Sequence, residues 1–310
     1  PPLAEVGVRP LAAAERDAFH GPAAESLARR RFDDRHFTYS NENDHALWLP
    51  HVAAQGGGYL GVGADQNYTL FAAARAEFVW LMDYDVVVTQ AHRIYRALIL
   101  ESVSANEFLL RWEPFDERAT RELVEAAFAD EPDRGELLEL LDVLWRGAGH
   151  YFRKVAARRA PDGGPGSWLA DPELYRIVRA TFAADRVRIV PGDLLGSTTM
   201  PGIAGAHRAL GVPMRVVYLS NAEEYFAYNE AFRGSFGAMP FDDRSVVLRT
   251  VAREVPDGSR RAWHYQVEPA RHFVELLTVR RAERFSSFAE DASYAPDGGL
   301  SLLGTSSSSR

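Results

Sequence analysis

The sequence predicts an α/β fold: a doubly wound, mostly parallel sheet with an antiparallel edge and a helical insertion. Three observations carry that prediction. The stretch from Gly56 to Asp85, GGGYLGVGADQNYTLFAAARAEFVWLMDYD, reads as glycine turn, helix, buried strand and paired carboxylates. The run Phe78–Met82 is continuously apolar, as a parallel strand covered on both faces should be. Further strand-like runs each end in small or polar residues, the arrangement expected where ligands lie at the carboxyl edge of such a sheet.

Composition narrows the class. A chain of 310 residues with 46% hydrophobic content supports one large domain with insertions or two modest domains. Its formal charge of −8 is spread over mixed-sign segments, which argues against nucleic-acid binding as the main function. Cysteine is absent, so disulfide scaffolds, cysteine nucleophiles and cysteine-ligated zinc are excluded, and no metal site is expected. No apolar run approaches the roughly 18 residues of a membrane span. The chain begins at Pro1 rather than methionine, from which we expect that an upstream segment has been removed, leaving export open.

In order along the chain, residues 1–36 form an N-terminal segment, with one or two amphipathic helices expected up to Arg31. The α/β domain is expected over 37–295, and 296–310 is a small, polar tail expected to be disordered. Phe37–His45 gathers hydroxyl, amide, carboxylate and imidazole groups before a helix over Ala46–Ala54. The plainer account is capping by Ser40 or Asn41, with Asn43 or Asp44 in the first turn. The functional account sets Tyr39, Asn41 and Glu42 over a ligand pocket, and His45 suits either an exposed or a catalytic place.

Tyr59, Leu60 and Val62 suit a short buried strand, and Gly61 and Gly63 leave room for a sharp turn and a close ligand. Asp65 is placed to cap a helix from Gln66 to Arg75, and the next strand, Phe78–Met82, runs into Asp83-Tyr84-Asp85. A helix over Val86–Glu101 follows. Residues 104–169 read as a helical insertion and candidate lid, broken at Pro161–Ser167. Pro172 opens a helix to about Ala184; strands at Val187–Val190 and Val212–Leu219 end in Gly192-Asp193-Leu194 and Ser220-Asn221. Turn chemistry at Gly192-Asp193 and helix capping by Ser220 are the plainer accounts. Ser245–Arg253 and Ala262–Val267 predict a strand pair, and Val274–Val279 a strand or short helix.

With these strand ends the chain resembles class I S-adenosylmethionine-dependent methyltransferases, which are Rossmann-like, over roughly Phe37–Tyr225. It is most similar to uncharacterised bacterial proteins carrying YLGVGxDQNxxL and YLSN stretches. The resemblance implies that Gly61, Gly63 and Asp65, with Gln66 and Asn67 following, lie against the methionine part of the cofactor. It implies further that Asp83 or Asp85 binds the ribose, that Gly192, Asp193 and Leu194 flank the adenine, and that Ser220 and Asn221 face the transferred methyl. Asn221, Glu42 and His45 are the candidates for positioning or deprotonating an acceptor, with Tyr39 and Asn41 as substrate contacts. An active enzyme of this kind is expected in the cytoplasm, with a small molecule or another, unidentified, acceptor.

Two features depart from that pattern: Tyr59 stands where an acidic residue is usual, and the loop lacks its third glycine, with Gln66 and Asn67 following Asp65. The alternatives are therefore a methyltransferase-like binding or interaction protein without catalysis, and a nicotinamide-dependent oxidoreductase. The latter is less favoured because its pyrophosphate loop needs the third glycine for close helix packing.

Overall fold

The computed structural model describes residues 6–27, 35–254, 261–285 and 299–304. Helix α1 (Ala13–His20) is followed by a 3₁₀ turn (His45–Trp48), α2 (Leu49–Val52), β1 (Gly58–Val62), α3 (Gln66–Ala74), β2 (Phe78–Asp83) and α4 (Val86–Leu100). The insertion contributes α5 (Ala105–Leu110), α6 (Glu117–Ala127), α7 (Arg134–Trp145) and α8 (Ala148–Ala156). Then come α9 (Pro172–Ala183), β3 (Val187–Pro191), α10 (Thr199–Leu210), β4 (Met214–Tyr218) and α11 (Glu230–Ala238). The last elements are β5 (Val246–Glu254), β6 (Arg261–Pro269), α12 (Ala270–Thr278) and β7 (Leu300–Leu302).

The strands form one seven-stranded sheet in the order β3-β2-β1-β4-β5-β6-β7. Strands β1 to β5 are parallel, β6 is antiparallel to β5, and β7 is parallel to β6. This is the Rossmann-like, mostly parallel α/β architecture with an antiparallel pair. The chain moves outward from β1 through β2 to β3, then returns to β4 on the other flank of β1. That reversal opens a crevice between the carboxyl ends of β1 and β4.

Side chains alternate across each strand, so the sheet serves two cores. Tyr59, Val79, Leu81, Val216 and Tyr218 pack into one, with residues of α3, α4, α9 and the insertion. Leu60, Val62, Trp80, Met82 and Val217 enter the other, with Phe19 of α1 and residues of α10, α11 and α12. The insertion's Leu137, Leu141 and Phe152 share the first core, so these helices are packed into the domain rather than held over it as a lid.

Several helix ends follow from local chemistry. Asp85, Ser104, Asp171 and Asn229 each accept a backbone N–H at the start of their helices, and Arg75 ends α3 in the left-handed conformation at φ 50°. Other expectations are corrected. Asp65 stands at the cap position of α3 but makes no capping bond, because its carboxylate is drawn to the insertion. Ser220 does not cap a helix either; it sits at φ 51° before a 3₁₀ turn and gives its hydroxyl to Glu42. Ser40 accepts from the Glu42 N–H instead of capping α2. The segment Val274–Val279 lies in α12 and its end, and residues 300–302, taken with the polar tail, form β7 against β6. The N-terminal segment has one helix, α1, among the described residues. The turn expected at Pro256-Asp257-Gly258, between β5 and β6, and the last tail residues, 305–310, lie outside the described residues. Among the described residues, no helix is long and apolar enough to cross a membrane.

Candidate functional site

The carboxyl ends of β1, β2, β3 and β4 carry Gly61–Asp65, Asp83–Asp85, Gly192–Leu194 and Ser220–Asn221, and the parallel pairing brings all of them to one edge. The glycine turn closes β1. A β-carbon on Gly61 would overlap the Asn67 amide oxygen and crowd the Tyr59 ring, so this glycine makes room for the protein's own side chains. Asn67 donates to the Val62 and Ala64 carbonyls at 3.0 and 2.7 Å and accepts from the Tyr59 hydroxyl at 2.7 Å. Tyr59, which stands where an acidic residue is expected, is thus tied to the start of α3 through Asn67. Gly63 is left-handed at φ 80°, and a β-carbon there would press on the Gln66 amide nitrogen.

The turn is held from both sides. Asp83 Oδ2 accepts the Gly63 N–H at 2.9 Å, while His92 Nε2 meets the Gly63 carbonyl at 2.8 Å. A carbonyl only accepts, so His92 donates through Nε2 and accepts the Tyr68 hydroxyl at Nδ1, 2.7 Å away. Burial pushes His92 down to about 4, only partly opposed by the Gly63 carbonyl. Asp83 is partly exposed, and burial of its carboxyl raises it to about 7 against the Asp85 and Gly63 N–H groups. Asp85 is buried; it caps α4 through the Val87 N–H and pairs with His36 Nδ1 at 2.7 Å. Asp85 is therefore taken up by the fold, whereas Asp83 is partly exposed and accepts the Gly63 and Asp85 N–H groups.

At the amino end of α3, Asp65 is fully buried. It accepts from Tyr151 at 2.8 Å and Trp168 at 3.4 Å, both supplied by the insertion region. Burial raises the Asp65 carboxyl, opposed by the Tyr151 bond and the Arg158 charge. Beside it, Gln66 donates to the Tyr218 hydroxyl at 3.1 Å, while its Oε1 is buried with no partner. A buried acceptor without a donor costs free energy.

Between β4 and β5 lies Glu42, 1% exposed. Oε1 accepts from Ser220 at 2.6 Å and Thr250 at 2.7 Å; Oε2 accepts from Tyr218 at 2.7 Å and His45 at 3.0 Å. Burial pushes the Glu42 carboxyl up, but His45 and the hydroxyls outweigh it, and the net shift is downward. Arg158 donates to His45 Nδ1 at 3.2 Å and to the Glu42 carbonyl at 3.0 Å. His45 is buried, not exposed. Every lone pair of the Glu42 carboxylate is engaged, which suits a fixed negative post that clamps residues 40–45 to the sheet.

The remaining candidates lie on the rim. Tyr39 is exposed and stacks on Tyr151, with ring centroids 4.8 Å apart. Exposed Asn41 accepts from Trp263 through its backbone carbonyl. Asn221 donates its amide to Glu224 and Tyr225. Gly192 packs on Met82 and donates its N–H to the Asp83 carbonyl, Leu194 is buried, and the Asp193 N–H meets Glu25 of the N-terminal segment. Tyr218, Thr250, Tyr151, Trp168, Arg158 and Glu25 were not singled out as site residues from the sequence. Only Tyr218 carried a local signal, being the aromatic that precedes the Leu-Ser-Asn strand end.

Among the described residues, no group of three or more His, Asp or Glu side chains is arranged to hold a metal ion. No curated protein matches the chain. A family model does: the one described as Domain of unknown function (DUF7790) matches residues 37–303, from the segment that carries Glu42 through β7, and the chain belongs to that family.

Proposed function

We propose that the protein is an S-adenosylmethionine-dependent methyltransferase. The observation that carries this reading is the chemistry around the glycine turn. Asp65 stands at the amino end of α3, Asp83 is partly exposed at the end of β2 beside the glycine turn, and Gln66 Oε1 is buried without a donor. The Asp83 carboxylate beside the glycine turn suits the ribose hydroxyls of a nucleoside. These residues fit the cofactor. Gln66 Oε1 would accept from its ammonium group, Asp83 from its ribose hydroxyls, and Gly192–Leu194 would flank its adenine.

When bound, the cofactor supplies a methyl group already activated by its sulfonium. The protein's task is then alignment of the acceptor. Glu42, saturated by its four bonds, orients the segment Ser40–His45 instead of taking a proton, and Asn221 stands on the rim to meet the acceptor. Calorimetric titration with S-adenosylmethionine and S-adenosylhomocysteine tests the reading. Binding is expected in the wild type, lost in Asp83→Ala and retained in Asp85→Ala.

A second reading, a methyltransferase-like binding or interaction protein, is favoured by one observation: Asn67 and Tyr59 fill the space beside Gly61 that would otherwise be open. Absence of cofactor binding in the titration would select it.

A further inference from the structure

The segment that precedes the family domain is fitted to the candidate site. Glu25 Oε2 accepts the Asp193 N–H at 2.5 Å and Oε1 accepts the Thr198 N–H at 3.2 Å, while the Glu25 N–H donates to Thr199 Oγ1 at 3.0 Å. These three bonds span the loop from the end of β3 to the start of α10. The loop is shaped in return. A β-carbon on Gly196 would collide with the Glu25 carboxylate, and one on Gly202 would crowd Pro22 at 2.9 Å. Arg188 of β3 fastens the same segment through the carbonyls of Phe19 and Pro22. Its next described stretch is anchored too, by His36 on Asp85.

We propose that Glu25 is a positioning residue for the adenine-flanking loop, so that residues 19–27 form one wall of the cofactor crevice. The proposal rests on the methyltransferase reading for the ligand and on the bonds above for the wall. A carboxylate is the right group for the task, because one side chain offers a separate acceptor oxygen to each of two backbone N–H groups. Without it, those donors lose fixed partners and the loop from Gly192 to Thr198 gains alternative conformations.

The test uses the full chain and the variants Glu25→Ala, Glu25→Gln and Gly196→Ala. Amide hydrogen exchange is followed on residues 192–198 without ligand, and adenosine and S-adenosylhomocysteine are titrated by calorimetry. Glu25→Ala should speed exchange in this loop on the order of tenfold and weaken both ligands on the order of tenfold. Glu25→Gln, which keeps one acceptor oxygen, should recover part of each effect. Gly196→Ala should reproduce the loss by displacing Glu25, and the double variant should be no worse than either single one. A purely structural role would lower the melting temperature and leave the affinities alone, which would overturn the proposal. Unchanged exchange in Glu25→Ala would overturn it as well. If the wild type binds neither ligand while exchange still responds to Glu25, the methyltransferase reading fails, and with it the ligand-binding half of the proposal; Glu25 then fixes the loop alone.

Discussion

The Tyr151 hydroxyl donates to Asp65 Oδ1 at 2.8 Å and accepts the Ser40 N–H at 3.2 Å, so one phenol joins the insertion, the glycine turn's helix and the segment that carries Glu42. Tyr151→Phe removes a donor from a buried carboxylate and an acceptor from a buried N–H. We expect it to destabilise the fold by about 1–3 kcal/mol, read as a lower urea midpoint. An unchanged midpoint would show that the junction is not mechanically important.

Asp83 should make stability depend on pH in the opposite sense to an ion-paired carboxylate. Its folded value is raised to about 7 from an ordinary 3.8, so the folded state holds the proton that the unfolded chain has released. Stability is therefore lost as pH rises from about 4 to about 7. In Asp83→Asn that loss disappears. Whatever constant cost the amide carries, the variant should gain on the wild type between about pH 4 and about pH 7, by on the order of 1–2 kcal/mol after allowance for solvent access. Parallel stability curves for the two proteins would refute the assignment.

Glu42 has the reverse sign. Its lowered folded value means that its contribution is present above the ordinary carboxylate range and is lost as pH falls through the folded value. Glu42→Gln turns a donor toward donors that need an acceptor, and should cost roughly 1–3 kcal/mol. Glu42→Ala, which leaves His45 and three hydroxyls facing a void, should cost roughly 3–5 kcal/mol. Chemical denaturation near neutral pH measures both, and a free catalytic base at this position would instead show activity loss with stability intact.

Gly61→Ala tests why the turn is glycine. Its new β-carbon would meet Asn67, a side chain tied down by three hydrogen bonds. We expect a loss of about 2 kcal/mol or more, with partial recovery in the pair Gly61→Ala, Asn67→Gly. Failure of the second change to help would mean that Tyr59 is the limiting neighbour.

How much of this was legible in the sequence follows the range of the interactions. The βα units were readable because their signals are local: the apolar run Phe78–Met82, the turn glycines and the Asp171-Pro172 start. The edge that gathers the strand ends followed from parallel pairing. What Glu42 does was not readable, since its partners Tyr218, Ser220 and Thr250 lie far along the chain and meet it only once β4 and β5 are assembled. Asp65 and Ser220 were misread as caps for the same reason: a distant partner outcompeted the nearby N–H. β7 was missed because three residues are too short for an alternating pattern, and their strand character comes from β6.

The strand order also bears on how the chain reaches this state. The β5–β6 pair is a hairpin between segments close in sequence, whereas β1 joins β4 only across the entire insertion, α9, β3 and α10. Closing that long loop carries an entropic cost, offset only in part by the β1–β2 and β2–β3 pairings that lie within it. The β1–β4 seam, where the crevice opens, is therefore expected to form after the β5–β6 pair, so the crevice should be among the last parts of the sheet to assemble.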